Sequence, residues 1–489
     1  MNFIEHLALA SPWWTDPGWD KNDRSIVSAL KSGIKFRHIR QHRLKYPSLE
    51  IIRGPRQVGK TTEIKMIIND LLAQGKNPKS IGYFTCDVIS KYKELFEILK
   101  TFSQHLKLNK IKTGALFLDE VSSIKEWQRA VKGFVDTGLG KNIHLIVTGS
   151  SSIELKRGYE RMPGRRNGGK DYLFLPVNFG EFCSLTNSGR VIRREKFRNL
   201  LKSPGKFAKF KEDVLIDAAF YRKCLRDYMK TGGFPRAISD LLKYGDISDE
   251  TLFIYQSVLF SEFEKYKKSI ATLIQIITEL VKNIATPLSF NAIMKNTGLS
   301  SADTVKEYIE MFSRSYLGLQ LFCVDISKKR AFNKKNKKMY FIDPVIFRIL
   351  QGKFQDPFPP DSNLAENLAA VQTGRFFLNE WANTGMLNSL FYWKSAKGNE
   401  VDFVIYLDGK PFGLEVKYKD IVSKWDEISI RKGIGKGIII TKDSFEWGEI
   451  PKIPLWAFLL LDVGNMGSRE IRQIRRNAQK RIRAVYGET

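Results

Sequence analysis

A run of nine residues could bind the phosphates of a nucleotide: Gly54-Pro55-Arg56-Gln57-Val58-Gly59-Lys60-Thr61-Thr62. It has the spacing G-x-x-x-x-G-K-T, in which backbone N–H groups converge on phosphate oxygens and the following helix adds the positive end of its dipole. In this pattern Lys60 reaches the β- and γ-phosphates, and the Thr61 hydroxyl is a ligand of Mg²⁺. We therefore expect this run to bind ATP together with Mg²⁺.

Two carboxylates, Asp119 and Glu120, end an apolar run that reads as a buried parallel strand. Ligands bind at the carboxyl edge of such sheets, so Asp119 is expected to hold Mg²⁺ and Glu120 to polarise the attacking water. The next strand, Ile143–Val147, is followed by small polar residues. Of these, Thr148 or Ser150 is a candidate to sense the γ-phosphate, and a simple helix cap is the alternative.

A second group of chemical residues lies on two alternating strands joined by Asp408-Gly409, a two-residue turn signal. With that turn the numbers of paired residues sum to 817, so Asp402 lies opposite Glu415 and Glu400 opposite Lys417. Alternation puts these four side chains on one face and leaves the apolar face for the core. Facing carboxylates repel, and a divalent cation between them would relieve the repulsion. We predict that Asp402 and Glu415 hold Mg²⁺ or Mn²⁺ and that Lys417 orients water or stabilises charge. An ordinary hairpin with a polar solvent face is the alternative.

The surrounding elements follow from periodicity. Strands and helices alternate from Leu49 to Val147, which predicts a parallel α/β sheet. The tryptophan-rich residues 1–45 are expected to pack on that sheet and flank the nucleotide base, with stacking of a tryptophan on the base as an alternative. Three helices (Leu273–Ile284, Ser289–Thr297 and Ser301–Ser313) then predict a helix-turn-helix, and Leu317–Val324 with Met339–Ile342 would supply the strands of a wing.

The charge balance indicates a polyanionic partner, because 80 basic residues face 52 acidic ones and the net charge is +28. DNA is the expected partner and RNA the alternative, with solvated lysine-rich faces and a winged helix that only packs against protein as the plainer explanations. The candidate nucleic-acid contacts are Lys328, Lys329, Arg330, Lys334, Lys335, Lys337 and Lys338 near the wing tip and Arg472, Arg475 and Arg476 in the basic tail.

Other classes of site and location are disfavoured by the sequence. The four cysteines are scattered, and so are the five histidines, so we expect neither a zinc centre nor a disulfide framework. The sequence has no run of about 18 apolar residues, so no membrane span is predicted. The N-terminus lacks the features of a secretion signal. We therefore expect a cytoplasmic protein.

Several motifs occur in the order seen in a family of AAA-type ATPases of archaea and bacteria: Gly54–Thr62, Leu118–Glu120, Thr148–Ser151, Gly164-Arg165, Pro176–Phe182 and Gly232–Pro235. The chain resembles this family, whose C-terminal domain is similar to PD-(D/E)xK nucleases. The resemblance implies that Asp402, Glu415 and Lys417 are the nuclease triplet and that Glu366 is a further metal-binding acid. It also implies a homo-oligomer, such as a hexameric ring, with Arg165, or else Arg161 or Arg166, as an arginine finger.

The predicted fold is therefore α/β and multidomain. The expected segments are an N-terminal segment (1–45), an ASCE/AAA-type P-loop ATPase (46–182), a basic helical insertion or lid (183–258), a winged helix (259–350), a PD-(D/E)xK nuclease-like domain (360–462) and a basic helix (463–489). The expected function is ATP-driven remodelling, translocation or processing of DNA, including junctions or ends. The alternative is a STAND-like nucleotide-operated switch in signalling or defence, with a nuclease-like domain that binds nucleic acid without cutting it.

Overall fold

The computed structural model describes residues 3–39, 41–150, 168–187, 190–354, 358–384 and 387–462. The candidate fingers Arg161, Arg165 and Arg166 and the tail residues Arg472, Arg475 and Arg476 lie outside these ranges. The chain forms two compact units, one made mainly of residues 1–175 and one made mainly of residues 176–489. Among the described residues, no helix is both long enough and apolar enough to cross a membrane.

The first unit is an α/β fold. Its elements are α1 (Phe3–Ala10), α2 (Arg24–Lys31), β1 (Ser48–Arg53), α3 (Lys60–Ala73), β2 (Ile81–Thr85), α4 (Tyr92–Leu108), β3 (Gly114–Asp119), α5 (Trp127–Asp136), β4 (Ile143–Gly149) and β5 (Asp171–Leu173). The five strands are parallel in the order β2-β3-β4-β1-β5. The predicted parallel sheet is confirmed, and the carboxyl ends of β1, β3 and β4 meet at one edge.

One face of this sheet carries the main core of the unit. Leu116, Leu118 and Val147 point to this face and are fully buried together with Phe102 of α4 and Trp127 of α5. Because the strands are covered by helices, they read as nearly continuous apolar runs rather than as alternating ones. The core fixes β3 and β4 against each other, and so it fixes the positions of the polar residues at their ends.

The N-terminal tryptophans hold their segment to the sheet. The indole N–H groups of Trp13 and Trp14 both donate to the carbonyl oxygen of Ile81, at 2.8 and 2.7 Å. Trp19 packs edge-on against Trp13, and Trp14 stacks on His105. These rings are therefore engaged with the protein itself.

The second unit begins with short strands and helices: α6 (Phe179–Thr186), β6 (Glu195–Lys196), α7 (Phe197–Leu200), α8 (Pro204–Leu215), α9 (Ala218–Thr231), α10 (Pro235–Tyr244) and α11 (Asp249–Glu264). Several basic side chains of this region bind the C-terminal part of the same unit. Lys211 donates to the carbonyl oxygen of Phe445 at 2.6 Å, and Arg222 pairs with Asp443 at 2.8 Å. Part of the positive charge of the expected insertion therefore serves packing within the unit.

The Gly232-Gly233 pair has a specific backbone role. Gly232 has φ +67°, and a Cβ there would lie 1.7 Å from the carboxylate of Asp343. The N–H of Gly233 donates to that carboxylate at 2.7 Å. Asp343 is wholly buried, and its burial raises its pKa to about 7. The two glycines thus allow the chain just before α10 to pack directly against Asp343.

The three predicted helices are present as α12 (Ile270–Lys282), α13 (Phe290–Thr297) and α14 (Ala302–Arg314). The Ser269 and Ser289 side chains cap the first two, and Gly298 ends α13 in a left-handed conformation. Next come β7 (Gly318–Asp325), β8 (Arg330–Ala331), β9 (Lys337–Phe341) and α15 (Val345–Phe354). The predicted strand pair is confirmed, since β7 and β9 are antiparallel.

The C-terminal elements are α16 (Asp361–Arg375), α17 (Leu378–Thr384), β10 (Phe391–Lys394), β11 (Glu400–Leu407), β12 (Lys410–Lys417), α18 (Ile428–Gly433), β13 (Gly437–Thr441), β14 (Lys452–Pro454), α19 (Leu455–Phe458) and β15 (Leu461–Asp462). Strands β10 to β14 share a sheet with the β7–β9 pair, and β15 pairs with β6. The sheet has the order β14-β13-β12-β11-β10-β7-β8, with β9 on β7. Because β7 pairs in parallel with β10, the strands expected as a separate wing extend the C-terminal sheet instead.

The β11–β12 hairpin has the predicted register. Phe403 pairs with Leu414 and Leu407 with Lys410, so the paired numbers sum to 817. Asp408 and Gly409 have φ of +52° and +76°, as a type I′ turn requires. The alternative of an ordinary hairpin with a polar solvent face is wrong, because Asp402 and Glu415 are 8% and 4% exposed. The middle of the hairpin is buried on both faces.

Candidate functional site

The phosphate-binding loop has the backbone its glycines allow. Gly54 has φ +150°, and a Cβ there would lie 2.1 Å from the carbonyl oxygen of Phe174. Gly59 has φ +93° at the start of α3, and Gln57 is also left-handed. Only glycine fits at position 54, because any side chain would collide with backbone. The predicted ATP contacts are these two glycines, Lys60, Thr61, Thr62 and the four residues between the glycines. Those four residues are Pro55, Arg56, Gln57 and Val58.

Lys60 is buried inside this loop. Its ammonium donates to the carbonyl oxygens of Gly54 and Pro55 at 3.1 and 3.0 Å and lies 3.6 Å from a carboxylate oxygen of Glu120. These neutral carbonyls are weak partners for a cation compared with phosphate oxygens. The lysine is therefore placed to transfer its hydrogen bonds to a triphosphate.

Asp119 joins three hydroxyl groups at the edge of the sheet. Its Oδ2 accepts from Thr61 Oγ1 at 2.6 Å and from the Tyr83 hydroxyl at 3.0 Å, and its Oδ1 accepts from Thr148 Oγ1. The adjacent oxygens of Thr61 and Asp119 are the kind of ligand that Mg²⁺ takes, so these two residues would hold it. Burial, and then the charge of Asp119, raises the pKa of Tyr83 well above its usual range.

Tyr83 was not predicted from the sequence. Its hydroxyl is a buried polar group in an otherwise apolar strand, β2, and such a group needs a hydrogen-bond partner. That partner is on β3, the strand paired with β2, but only the strand order reveals it.

Glu120 has a left-handed backbone with φ +53°, which is uncommon for a residue with a side chain. Its N–H donates to Thr148 Oγ1 at 2.9 Å, and its Oε2 accepts from the N–H of Ser150 at 3.3 Å. Its side chain is 22% exposed, whereas that of Asp119 is buried. The left-handed turn thus directs the second carboxylate of the pair toward the loop and solvent.

The two candidate sensors have different surroundings. Thr148 is fully buried, donates to Asp119 and accepts from Glu120, so it positions both acids. The Oγ of Ser150 is buried and has no hydrogen-bond partner among the described residues. Of the two candidates, Ser150 is therefore the residue whose hydroxyl is available to donate to a γ-phosphate.

His38 lies beside the phosphate-binding loop and was not among the residues predicted from the sequence. Its Nε2 is 3.1 Å from the carbonyl oxygen of Val58, and its ring stacks on Phe174 with centroids 4.0 Å apart. The backbone N–H of His38 donates to Glu63 on α3 at 2.8 Å. The segment around His38 therefore lies against the loop and the helix that follows it.

The second predicted site contains a lysine at its centre. The Lys338 ammonium is 3.1 Å from Glu366, 2.7 Å from Glu400 and 3.0 Å from Asp402. The side chain is 1% exposed. Tyr340 donates to the same Glu366 oxygen at 2.6 Å. The structure thus brings Glu366, Asp402, Glu415 and Lys417 together as predicted, and adds a cation from β9.

Every oxygen of the facing carboxylate pair already accepts a hydrogen bond. Asp402 accepts from Lys338 at 3.0 Å and from the Val416 N–H at 2.9 Å. Glu415 accepts from Lys417 at 2.5 Å and from the Asp402 N–H at 3.2 Å. The repulsion that led us to expect a metal is relieved by these donors. As arranged, the residues do not fit a bound Mg²⁺ or Mn²⁺, because Lys338 occupies the centre of the acids.

The acids of this cluster have perturbed pKa values. Burial raises the pKa of Glu415 to about 8, with a further contribution from Asp402. Burial, and then Asp402, also raises the pKa of Glu366 to about 7. Burial lowers the pKa of Lys338, but Tyr340 and the carboxylates of Asp402, Glu366 and Glu400 outweigh it and hold that pKa above the usual range. The cluster is therefore a buried network in which Glu366 and Glu415 have pKa values above the usual range of a glutamate.

The expected nucleic-acid contacts must be corrected at one residue. Lys338 is buried among carboxylates, so it is not available to a phosphate backbone. Lys337 is half-buried, donates to the Asn333 carbonyl oxygen and lies over the Phe290 ring. The remaining five are exposed and form what we call the basic hairpin tip: Lys328, Lys329, Arg330, Lys334 and Lys335.

Comparison with known families supports the assignment of the first unit. Residues 47–183 match a family described as an AAA domain. Residues 222–356 and 363–444 match two families described as domains of unknown function. An uncharacterized protein of Methanocaldococcus jannaschii is 27% identical over 388 residues, which is 74% of this chain and 78% of that protein.

Solved structures with a similar arrangement are distant. The Orc1 protein of Aeropyrum pernix in complex with DNA is 11% identical with a TM-score of 0.29, covering 71% of this chain and 96% of that one. A RuvB variant of Thermotoga maritima is 17% identical with a TM-score of 0.27, covering 55% and 81%. Cdc6 of Pyrobaculum aerophilum is 13% identical with a TM-score of 0.25, covering 69% and 95%. Likenesses this remote carry no argument about this chain. The family match and the geometry of the loop identify residues 47–183 as an AAA-type P-loop ATPase domain.

Proposed function

We propose that the protein hydrolyses ATP and uses the energy for work on DNA. The observation that carries the first half is the Thr61–Asp119–Thr148–Glu120 network, in which one buried aspartate is bonded to the P-loop threonine and one threonine fixes two adjacent acids. Binding alone would not require Glu120 to be held beside the loop. Hydrolysis needs a side chain there that orients the attacking water or accepts its proton, and a carboxylate can do both.

The residues divide the chemistry among them. Bound Mg²⁺ would neutralise phosphate charge between Thr61 and Asp119. Lys60 would leave the carbonyls of its own loop and bind the β- and γ-phosphates. Glu120 would accept a proton from the attacking water, since its partly exposed carboxylate is held toward the loop by Ser150 N–H. Ser150 Oγ would donate to the γ-phosphate or to that water.

The ATPase proposal is tested with Glu120→Gln and Lys60→Ala. Glu120→Gln should retain ATP binding and lose hydrolysis by about 10²–10⁴-fold, because a general base contributes that much. Lys60→Ala should weaken binding as well. Glu97→Gln, at a partly exposed carboxylate on α4, is the matched control. Normal turnover by Glu120→Gln would remove Glu120 from the mechanism.

The DNA half of the proposal is supported by the net charge of +28 and by the basic hairpin tip. Five exposed cations on one short hairpin would contact phosphates and give binding that depends on salt but not on sequence. ATPase turnover should therefore rise with duplex, single-stranded or four-way-junction DNA. Turnover unaffected by all three would count against this half, and competition by RNA would reveal the other polyanion.

Changing the basic hairpin tip to glutamine at all five positions should weaken DNA binding and flatten its salt dependence. The matched control changes five exposed lysines of the first unit to glutamine: Lys76, Lys79, Lys107, Lys110 and Lys112. An equal loss in both variants would mean that net charge, not this surface, attracts DNA.

A second candidate function is favoured by Lys338. If its ammonium permanently fills the acid cluster, the C-terminal domain does not cut DNA, and ATP binding operates a STAND-like switch whose nuclease-like domain only binds nucleic acid. Cleavage and ATPase measured together with Mg²⁺ or Mn²⁺ separate the two. The switch predicts slow turnover, retained nucleotide and no cleavage. Cleavage lost in Asp402→Ala would instead establish a nuclease. Assembly into a homo-oligomer, with an arginine such as Arg165 acting across subunits, also remains a proposal.

A further inference from the structure

Two histidines and a glutamate lie close together on one face of the first sheet. His42 precedes β1, Glu50 lies on β1 and His144 lies on β4. His42 Nε2 is 2.8 Å and His144 Nε2 is 3.6 Å from the same oxygen, Glu50 Oε2, and the three candidate ligand atoms all lie within 4.8 Å of one another. The three side chains are 5%, 9% and 0% exposed.

The surroundings of His144 direct one of its nitrogens into this cluster. Its Nδ1 lies 2.9 Å from the carbonyl oxygen and 2.8 Å from the amide nitrogen of Lys45. In the tautomer that donates Nδ1–H to the carbonyl, Nε2 carries a lone pair aimed at Glu50. That nitrogen is buried and has no hydrogen-bond partner among the described residues. The Lys45 N–H instead favours the tautomer that accepts at Nδ1, in which Nε2–H faces Glu50. In the first tautomer a lone pair and a carboxylate oxygen face each other, and a cation between them would relieve their repulsion.

The spacing of the atoms suits a metal ion. Two imidazoles and one carboxylate are a ligand set found around Zn²⁺, with a fourth position left to water. Bonds of about 2.0–2.1 Å in tetrahedral geometry place ligand atoms roughly 3.3 Å apart. The two distances to Glu50 Oε2, 2.8 and 3.6 Å, lie on either side of that value. A carbonyl that fixes the second nitrogen of a histidine is also the usual support of a metal ligand.

We propose that His42, Glu50 and His144 bind one Zn²⁺ ion. The ion would fasten the segment before β1 to the strands that lead to the P-loop and to Thr148. Glu50 lies four residues before Gly54, and His144 lies four residues before Thr148. The site is separate from the Mg²⁺ position at Thr61 and Asp119, and the proposal does not depend on ATP hydrolysis or on DNA.

The experiment titrates the full-length, chelator-treated protein with Co²⁺ and then with Zn²⁺, without nucleotide. We expect one equivalent of Co²⁺ with the visible d–d absorption of a tetrahedral site, displaced by one equivalent of Zn²⁺. His42→Ala and Glu50→Gln should weaken Zn²⁺ binding at least about tenfold. His6→Asn, a histidine on α1 outside the cluster, should leave binding unchanged.

Two outcomes would overturn the proposal. One is the absence of tetrahedral Co²⁺ absorption in the wild-type protein, which would make the cluster a hydrogen-bonded triad only. The other is equal metal uptake by His42→Ala and the wild type. His42 lies outside the strands, so His42→Ala tests the site even if a change at the buried His144 prevents folding. Circular dichroism and ATP binding of each variant show that the fold is retained.

Discussion

The ammonium of Lys338 lies 3.0 Å from the Oδ1 of Asp402, inside a cluster of acids that the sequence pattern assigns to a metal. The same ammonium also contacts Glu366 and Glu400. A lysine therefore supplies, from within the chain, the positive charge that the sequence pattern expects from a metal ion.

Replacing this cation by an apolar side chain should expose the acids to one another. We expect Lys338→Met to destabilise the protein by about 3–5 kcal/mol, because the partner of buried charges is lost. Mn²⁺ or Mg²⁺ should restore part of the loss, since an ion that binds only the folded state stabilises it. Urea unfolding of the wild type and the variant, with and without the ion, measures both effects.

Lys335→Met is the control for that prediction, because Lys335 is an exposed lysine of the basic hairpin tip. It should change stability little, and Mn²⁺ should not affect it. If Mn²⁺ stabilises the wild type as strongly as it stabilises the Lys338→Met variant, the lysine does not exclude the ion. That result would support the metal site predicted from the sequence.

The raised pKa of Glu415 predicts a pH-dependent stability. Its pKa rises from 4.5 in an ordinary glutamate to about 8 in the folded protein, so the folded state binds a proton that the unfolded state releases. The contribution of this group is therefore most favourable below about pH 4.5 and is lost as the pH rises toward 8. Relative to the wild type, Glu415→Gln should gain on the order of 4 kcal/mol as the pH rises from 5 to 8.5, because one pKa unit corresponds to about 1.4 kcal/mol.

Urea unfolding at several pH values checks this difference. Glu264→Gln, an exposed carboxylate on α11, should show a difference from the wild type that does not vary with pH. A Glu415→Gln difference that is equally flat would mean that Glu415 is ionised throughout, with Lys417 and the Asp402 N–H compensating its burial.

The sequence predicted local geometry well and long-range partners poorly. The Asp408-Gly409 turn set the hairpin register because two residues with positive φ determine how the flanking strands pair. Asp119 and Glu120 were found because the strand and its acids are contiguous. Lys338 was misassigned to a DNA contact because its burial depends on β7 pairing with β10, which nothing near residue 338 encodes.

The histidine cluster shows the same limit. His42 and His144 are separated by 102 positions, and the dispersed histidines led us to expect no metal centre. Parallel pairing of β1 with β4 places Ser48 beside His144, which brings Glu50 and His144 to the same face of the sheet. Parallel strands need long connections, so such neighbours have no short-range signal.

Gly232, which follows α9, offers a test of its close contact with Asp343, two residues after β9. We expect Gly232→Ala to destabilise the protein by roughly 3 kcal/mol or more, because the new Cβ would lie 1.7 Å from the Asp343 carboxylate and φ is +67°. Gly245→Ala is the matched control, with φ +80° and no atom within 4 Å of its Cβ, and should cost only about 1 kcal/mol. Thermal unfolding compares the two, and equal losses would show that φ alone matters.

Thr148 should matter for catalysis through the acids that it positions. Thr148→Val keeps the shape of the side chain but removes both the donor to Asp119 and the acceptor for the Glu120 N–H. We expect kcat for ATP to fall by about 10–100-fold, as for small misplacements of catalytic groups, with KM changed far less. Thr148→Ser retains the hydroxyl and should recover most of the rate. If Thr148→Ser is as slow as Thr148→Val, packing of the methyl group rather than the two hydrogen bonds sets the geometry of Asp119 and Glu120.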